Sequence, residues 1–267
     1  MKPQNWQPTP LVKLSFFFTL AAIGLAIVLP EWRYGLIAAC IANSLLLTVA
    51  GLLPRCDLLG KNWTALPAAA AQRGEIAITI DDGPNPIITP AVLDILDRYG
   101  VKATFFCIGE NVKRYPELCQ DMIRRGHSVE NHTMRHKHTF AFLLPFQYFA
   151  ELEAAQQTLA DVTGSRGVFF RAPAGLRNPL LDRVLARHQL QLASWTKRGF
   201  DTVERDPKRV LAKLLNKLQA GDILLLHDHN AAETVNGTPV ILEVLPTLLD
   251  AIAAAKLQPV TLRDALK

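Results

Sequence analysis

The 267 residues predict an α/β barrel preceded by an N-terminal transmembrane helical hairpin. Three observations carry this reading. Two long apolar stretches open the chain. The remainder alternates short apolar runs with helix-length amphipathic patterns. Reactive side chains gather just past the ends of the apolar runs. The composition, 49% hydrophobic and 20% charged, excludes a disordered chain, which would be apolar-poor and charge-rich. Gly and Pro are scattered without a triplet period, so a collagen-like chain is excluded too. Four Cys are too few for a disulfide-stapled scaffold of this length.

The first apolar stretch is Leu11–Leu29, with Lys13 at its edge, and the second is Tyr34–Leu53, without a charge. A hydrocarbon core of ~30 Å needs about 20 such residues in a helix. Pro30, Glu31, Trp32 and Arg33 supply a short turn between them, and Trp6, Trp32, Tyr34 and Trp63 lie where interfacial rings are expected. A cleaved signal peptide followed by a buried helix is the alternative, disfavoured by the length of the first stretch. Both chain ends then lie on one side, flanked by Lys2, Lys13, Arg55, Lys61 and Arg73 against Asp57, while the turn holds only Arg33 and Glu31. The positive-inside rule leans the domain towards the cytoplasmic face of a bacterial inner membrane. Residues 1–73 hold six Lys/Arg against two Asp/Glu, and the rest 23 against 22, so +4 of the net +5 belongs to the N-terminal segment. The remainder carries no basic stripe, which argues against a nucleic-acid partner. Residues 1–63 read as the anchor, 64–74 as a linker and 75–267 as a separate α/β domain. Cys40, Cys56, Cys107 and Cys119 show no pairing pattern and read as inert thiols.

Strand-like runs stand at 76–80, 103–108, 127–131, 167–171, 191–195, 222–227 and 259–262. Between them lie helical patterns such as TPAVLDILDRYG, PELCQDMIRRG and DPKRVLAKLLNKLQAG, several opening with a cap residue and Pro and ending at Gly. Such alternation predicts a parallel sheet covered by helices. Seven strands suit a closed or nearly closed barrel, with an open doubly wound sheet as the alternative. No G-x-G-x-x-G or P-loop motif is present, so neither nucleotide site has support.

Asp81-Asp82-Gly83 follows the first run, His132 to His136 the third, and Arg171 to Gly175 the fourth. Asp201 follows Trp195, and His227-Asp228-His229 ends the sixth run. In a barrel, active sites are assembled at this C-terminal rim. Each feature has a plain structural reading: a turn for Asp-Gly, a surface ion pair for Arg171, a core imidazole for His227. Two adjacent carboxylates, however, need a cation to offset their repulsion. His132 and His136 are four apart, which on a helical turn would aim both rings one way. One Asp with two His is a common set for a divalent metal with open positions. A second Asp is then available as base and a separate His as acid, the parts of metal-assisted amide hydrolysis. His127, His138 and His229 are spare imidazoles, and His188 reads as a surface cap at a helix end.

These residues resemble the polysaccharide deacetylases, also called NodB-homology or carbohydrate esterase family 4 domains. The resemblance spans about 74–267 and keeps the order of five motifs: TIDDG (79–83), HTMRH (132–136), RAPAG (171–175), WTKRGFDT (195–202) and LLLHD (224–228). The fourth departs from the family pattern, with Arg198 in place of an Asp and Thr202 in place of a Trp. The resemblance implies a distorted (β/α)7 barrel and removal of N-acetyl groups from sugars. It implies Asp81 as base, Asp82, His132 and His136 as metal ligands, and Arg171 as the group orienting Asp81. It further implies His227 as acid, Asp201 as the carboxylate tuning it, the Ala174 N–H as an oxyanion donor, and Trp195 and Leu226 as walls of the acetyl pocket. The implied cofactor is a divalent metal, Zn with Co or Ni as alternatives. The expected partners are the bilayer and an acetylated glycan or lipid-linked sugar. A deformylase or other amide hydrolase on the same barrel, and a non-catalytic carbohydrate-binding membrane protein, remain the rival functions.

Overall fold

The structure, a computed structural model, describes residues 6–267. Lys2, counted above among the flanking charges, lies outside the described residues. Helices α1 (Pro10–Val28) and α2 (Arg33–Leu52) are joined by a 3-10 turn at Pro30–Trp32. Thr9 caps α1, its hydroxyl accepting from the Val12 N–H, and Pro10 opens the helix where no donor is required. Both helices are long and apolar enough to cross a membrane, with mean hydropathy 2.3 and 2.0. They fold back on one another. In the seam, the Asn43 amide donates to Ser15 O and Thr19 Oγ1, each at 3.2 Å, beside the buried Ser15 and Ala22. Small residues and a satisfied polar bridge are how helices associate in apolar surroundings. Phe17, Ile27 and Ile41 point outward and stay exposed.

The seven predicted runs, with one further two-residue strand just past the fifth, become eight parallel strands: β1 (Glu75–Asp81), β2 (Thr104–Cys107), β3 (Ser128–Asn131), β4 (Phe169–Phe170), β5 (Gln191–Leu192), β6 (Lys197–Arg198), β7 (Ile223–His227) and β8 (Gln258–Pro259). Their spatial order is β5-β4-β3-β2-β1-β7-β6. Strands β5 and β6 are the two ends of one extended segment, 191–198. Near its start the Ala193 N–H donates to Phe170 O on β4, and near its end the Thr196 N–H donates to Ile223 O on β7. That single segment carries the ring from β4 round to β7. Strand β8 pairs only with Glu75 and Ile76 at the bottom of β1, below the point where β2 joins it. The split strand and the short wedge are the distortion of the barrel.

The strands read as continuous apolar runs because both faces are buried. Ala77, Phe106, Ile223 and Leu225 fill the interior with Trp195. Ile78, Ile80, Phe105, Leu224 and Leu226 alternate outward. They meet α4 (Ile88–Arg98), α6 (Pro116–Arg124), α9 (Pro207–Leu215) and α10 (Val240–Ala254). The amphipathic helix α7 (Pro145–Thr163) ends at Gly164, whose left-handed φ of 77° stops it, and α9 starts at Asp206, which caps the Lys208 N–H. Two shorter helices complete the layer, α5 (Gly109–Arg114) and α8 (Leu181–His188).

The stretch expected to be a linker is instead part of the barrel. It forms α3 (Ala68–Gln72), and Leu66 and Ala70 are buried with the interior cluster. Trp63 bridges Ala193 in parallel, extending the sheet by one residue. The apolar content of TALPAAAA, rather than its lack of a period, decides its fate: those side chains close the base of the barrel. His188 also differs from expectation, being buried beside Phe149 with Nδ1 3.2 Å from Glu153.

Glu130 on β3 is fully buried and organises the neighbouring strand. Its Oε2 accepts the N–H groups of Val168 and Phe169 at 2.7 and 2.9 Å, and its Oε1 meets Arg263 at 2.5 Å. Glu130→Ala would strand two buried donors and one guanidinium, so it should cost about 3 kcal/mol of stability. Urea unfolding of the full chain in detergent measures this; a loss under ~1 kcal/mol would mean that water replaces the carboxylate.

Candidate active site

The strand ends bring the reactive groups to one mouth of the barrel. Asp81 is the last residue of β1 and faces inward by strand parity, as Thr79 does two residues earlier. Arg171, just past β4, is fully buried and reaches across to both. Its Nη1 donates to Asp81 Oδ1 at 2.6 Å and to Thr79 Oγ1 at 2.8 Å. Its Nε and Nη2 donate to the carbonyls of Ala193 and Ser194, and Phe106 lies under the guanidinium at 4.1 Å. Asp81 is thereby fixed through one oxygen.

The next residue turns the other way. Asp82 has a left-handed φ of 77°, which directs its carboxylate to the two imidazoles rather than to Arg171. Its Oδ1 lies 3.2 Å from His132 Nε2 and 3.3 Å from His136 Nε2. That oxygen is buried yet accepts no hydrogen bond. A tetrahedral ion with bonds of ~2.0–2.1 Å has edges of roughly 3.3–3.4 Å, so these separations fit three ligands of one metal. Both remaining requirements of such a set are met. His132 Nδ1 donates to Arg171 O at 2.8 Å, which leaves Nε2 as the ligand atom, and Asn230 donates to Asp82 Oδ2 at 2.8 Å. The residues present therefore fit a divalent ion.

The charges agree. Burial works against the Asp82 carboxylate, but His132 more than offsets it and holds its pKa well below the usual range. Burial likewise opposes a charged His132, yet Asp81 and Asp82 raise its pKa; the site draws positive charge. Burial, then the neighbouring His132, lowers His136 to about 4 and keeps that ring neutral, as a ligand must be.

The helical turn expected to align the two His is absent. His132 to His136 form a loop in which Thr133 and His136 adopt left-handed backbones, with φ of 66° and 48°. Asn131 Oδ1 accepts the Thr133 N–H, and Thr133 Oγ1 accepts the His136 N–H, so side chains replace helical hydrogen bonds. The rings still approach to 4.8 Å. Strained backbone held by such bonds is typical of functional sites.

His227 closes β7. Its backbone N–H and its Nδ1 face the two oxygens of the buried Asp201, at 2.7 and 2.9 Å. Burial pulls the imidazole down, but Asp201, then Asp81 and Asp82, push its pKa up to about 8. The ring is cationic at neutral pH, and Asp201 leaves Nε2 for other work.

Ala174 is an exposed tip with a φ of 52°. Trp195 lies against the guanidinium of Arg171 at 5.9 Å. Leu226 is not brought to the site. It faces the helix layer, and alternation along β7 gives the inward place to Leu225, which touches the same cluster as Trp195. The parity was readable, because His227 inward requires Leu225 inward. Thr79 was readable the same way. Asn230 carried no signal, being one polar residue in a loop. Nor did Asp228, which is buried, bonded to Thr89 and pushed up to about 7 by burial. It explains Gly83: a Cβ there would stand 2.5 Å from Asp228 Oδ2. His127 is a neutral core imidazole whose Nδ1 accepts the Ala103 N–H, with burial lowering it to about 4; His138 and His229 are exposed.

Comparison with known proteins points the same way. The sequence profile described as Polysaccharide deacetylase matches residues 68–193. A peptidoglycan-N-acetylglucosamine deacetylase of Bacillus cereus is 32% identical over 186 residues, which cover 65% of this chain and 81% of that one. A chitooligosaccharide deacetylase of Bradyrhizobium is 33% identical over 163 residues, covering 57% and 70%. The solved peptidoglycan deacetylase PdaC of Bacillus subtilis matches with a TM-score of 0.61 and 28% identity, over 72% of this chain and 91% of that one. With the barrel, the ordered motifs and these relatives in agreement, the chain belongs to the polysaccharide deacetylase family.

Proposed function

We propose that this chain is a membrane-anchored, metal-dependent hydrolase that removes N-acetyl groups from acetamido sugars of a polysaccharide or lipid-linked glycan. The observation that carries the reading is a three-ligand site whose neighbouring carboxylate is fixed by a buried guanidinium, with a cationic imidazole at the same barrel mouth. The relatives named for peptidoglycan and chitooligosaccharide support an N-acetylated sugar as substrate.

Asp82, His132 and His136 would hold the ion, and its N2O donor set suits Zn²⁺, with Co²⁺ or Ni²⁺ as substitutes. The metal supplies Lewis-acid activation of water and of the acetamide carbonyl. Asp81, held by Arg171 through Oδ1, keeps Oδ2 to take the proton from the attacking water. The water oxygen adds to the carbonyl carbon, and the Ala174 N–H donates to the developing oxyanion, a contact worth about 3–4 kcal/mol in other hydrolases. His227 passes its Nε2 proton to the departing nitrogen as the C–N bond breaks, leaving acetate and a free amine. Asp201 holds that ring in the required tautomer through Nδ1. Trp195 and Leu225 would wall the acetyl methyl group.

The two apolar helices serve as the anchor, with the domain on the cytoplasmic face by the positive-inside rule. A C-terminal reporter that works only in the cytoplasm should be active; one active only outside would reverse the side.

The purified full chain should release acetate from N-acetylglucosamine-containing glycans. Excess chelator should abolish release and Zn²⁺ restore it. Asp81→Asn should lower kcat by roughly 10²–10⁴-fold and retain metal, whereas His132→Ala should lose it. Full turnover in excess chelator would remove the metal scheme.

Activity requires protonated His227, so it should fall as pH rises through about 8. Asp201→Asn removes the main influence raising that pKa. The alkaline limb of kcat/KM should therefore move to lower pH. A limb that stays in place belongs to another group.

A further inference from the structure

A cleft of about 860 Å³ opens where the hairpin meets the barrel. One wall is the chain just after α2, from Leu53 to Leu58. The other is the 195–200 segment with Lys213 of α9. Its charge is one-sided: Arg55, Lys197, Arg198 and Lys213 face a single acid, Asp57. Lys197 is neutralised by Asp222 at 3.3 Å, and Lys213 lies 3.6 Å from Glu204. Arg55 and Arg198 form no ion pair among the described residues. The Arg198 guanidinium lies over Trp195 at 5.5 Å and Phe200 at 5.1 Å, and its Nε is buried without a hydrogen-bond acceptor. A planar cation held by two rings with its donors unused is preset for a planar or tetrahedral oxyanion.

Two further observations select the anion. Trp195 lines this cleft and also stands against Arg171, so one indole separates it from the group that holds Asp81. The cleft's other border is apolar and adjoins the end of α2, where Leu53, Leu58 and Phe200 are 55%, 51% and 47% exposed. An occupant thus meets, in order, a hydrolytic site, two arginines without an acidic partner (Arg55 Nη1 donates to Thr196 O at 3.0 Å) and an apolar exit beside the anchor.

We propose that this cleft binds the phosphate of a sugar carried on a lipid phosphate, with the sugar's acetamido group presented past Trp195 to Asp81 and the lipid chain leaving along the Leu53–Phe200 rim. The inference rests on the deacetylase reading for the sugar's fate, but the phosphate site stands or falls separately. The substrate class is a lipid-phosphate-linked N-acetylated sugar rather than a neutral polymer.

The test compares acetate release by the full chain in detergent from three probes: dodecyl phospho-N-acetylglucosamine, dodecyl N-acetylglucosaminide and N-acetylglucosamine 1-phosphate. The first should exceed the second in kcat/KM by roughly tenfold to a hundredfold, and should also exceed the third, which lacks the lipid. Arg198→Gln and Arg55→Gln should each shrink the ratio of first to second by about tenfold. A ratio near one in the native chain, or one that neither substitution changes, overturns the proposal. Binding is read in parallel with radiolabelled dodecyl phosphate. It should saturate and weaken in Arg198→Gln; absence of saturable binding overturns the phosphate site. Equal displacement by phosphatidylglycerol would assign the cleft to bulk lipid and overturn the substrate assignment. Binding with no release from any probe would instead sink the deacetylase reading and leave the phosphate site standing.

Discussion

Two neighbouring carboxylates, Asp81 and Asp82, are buried at the end of one strand, and their mutual repulsion must be offset for the barrel mouth to exist. The left-handed backbone at Asp82 separates them. One carboxylate goes to a guanidinium whose Nε, Nη1 and Nη2 also donate to Ala193 O, Thr79 Oγ1 and Ser194 O. The other goes to two imidazoles and the Asn230 amide. Because Arg171 also gives its carbonyl to His132, the group that fixes Asp81 orients His132 as well. Asp81 and the Asp82–His132–His136 cluster are therefore mechanically one unit.

A further imidazole, His227, ends β7, the strand on β1's other side. Pairing of Asp81 with His227 in the β1–β7 register puts the imidazole level with the carboxylate. Asp201, on the turn after β6, grips both the backbone and the ring of His227. A parallel barrel makes this possible because every strand ends at the same rim, so residues 146 positions apart in the chain meet there.

The hairpin is not loosely tethered. The Arg177 N–H donates to Gly51 O, and its guanidinium to Cys56 O, so the loop after the Arg171 motif grips the end of α2. Gly51 is required there, since a Cβ would stand 2.0 Å from Arg177 O. The Asn62 amide donates to the carbonyls of Pro54 and Cys56 and to Ser194 Oγ. Trp63 exchanges backbone bonds with the 192–194 stretch. The orientation of the barrel mouth relative to the hairpin is thus set by hydrogen bonds between the two.

Much of this was legible locally. Span lengths, the seven apolar runs, the helix caps at Asp206 and Gly164, and the identities of Asp82, His132, His136 and His227 follow from short-range pattern and strand-end position. The misses have particular causes. The 64–74 stretch lacks a period, but its Leu and Ala side chains find a cavity only once the barrel exists. The four-residue His spacing predicted a helical turn, while Asn131 and Thr133 side chains built a loop that reaches the same separation. Leu226 was preferred over Leu225 because motif order, not parity, was followed.

Residue chemistry and periodicity, which act over a turn of helix or a few strand residues, settled by themselves most of the elements and singled out the polar side chains at the strand ends. The conformation of Asp82, the place of Asn230, the choice between Leu225 and Leu226, and the cationic cleft beside Trp195 were decided by tertiary structure. Each depends on contacts between segments distant in the chain, whose free energy exists only after the backbone has closed on itself.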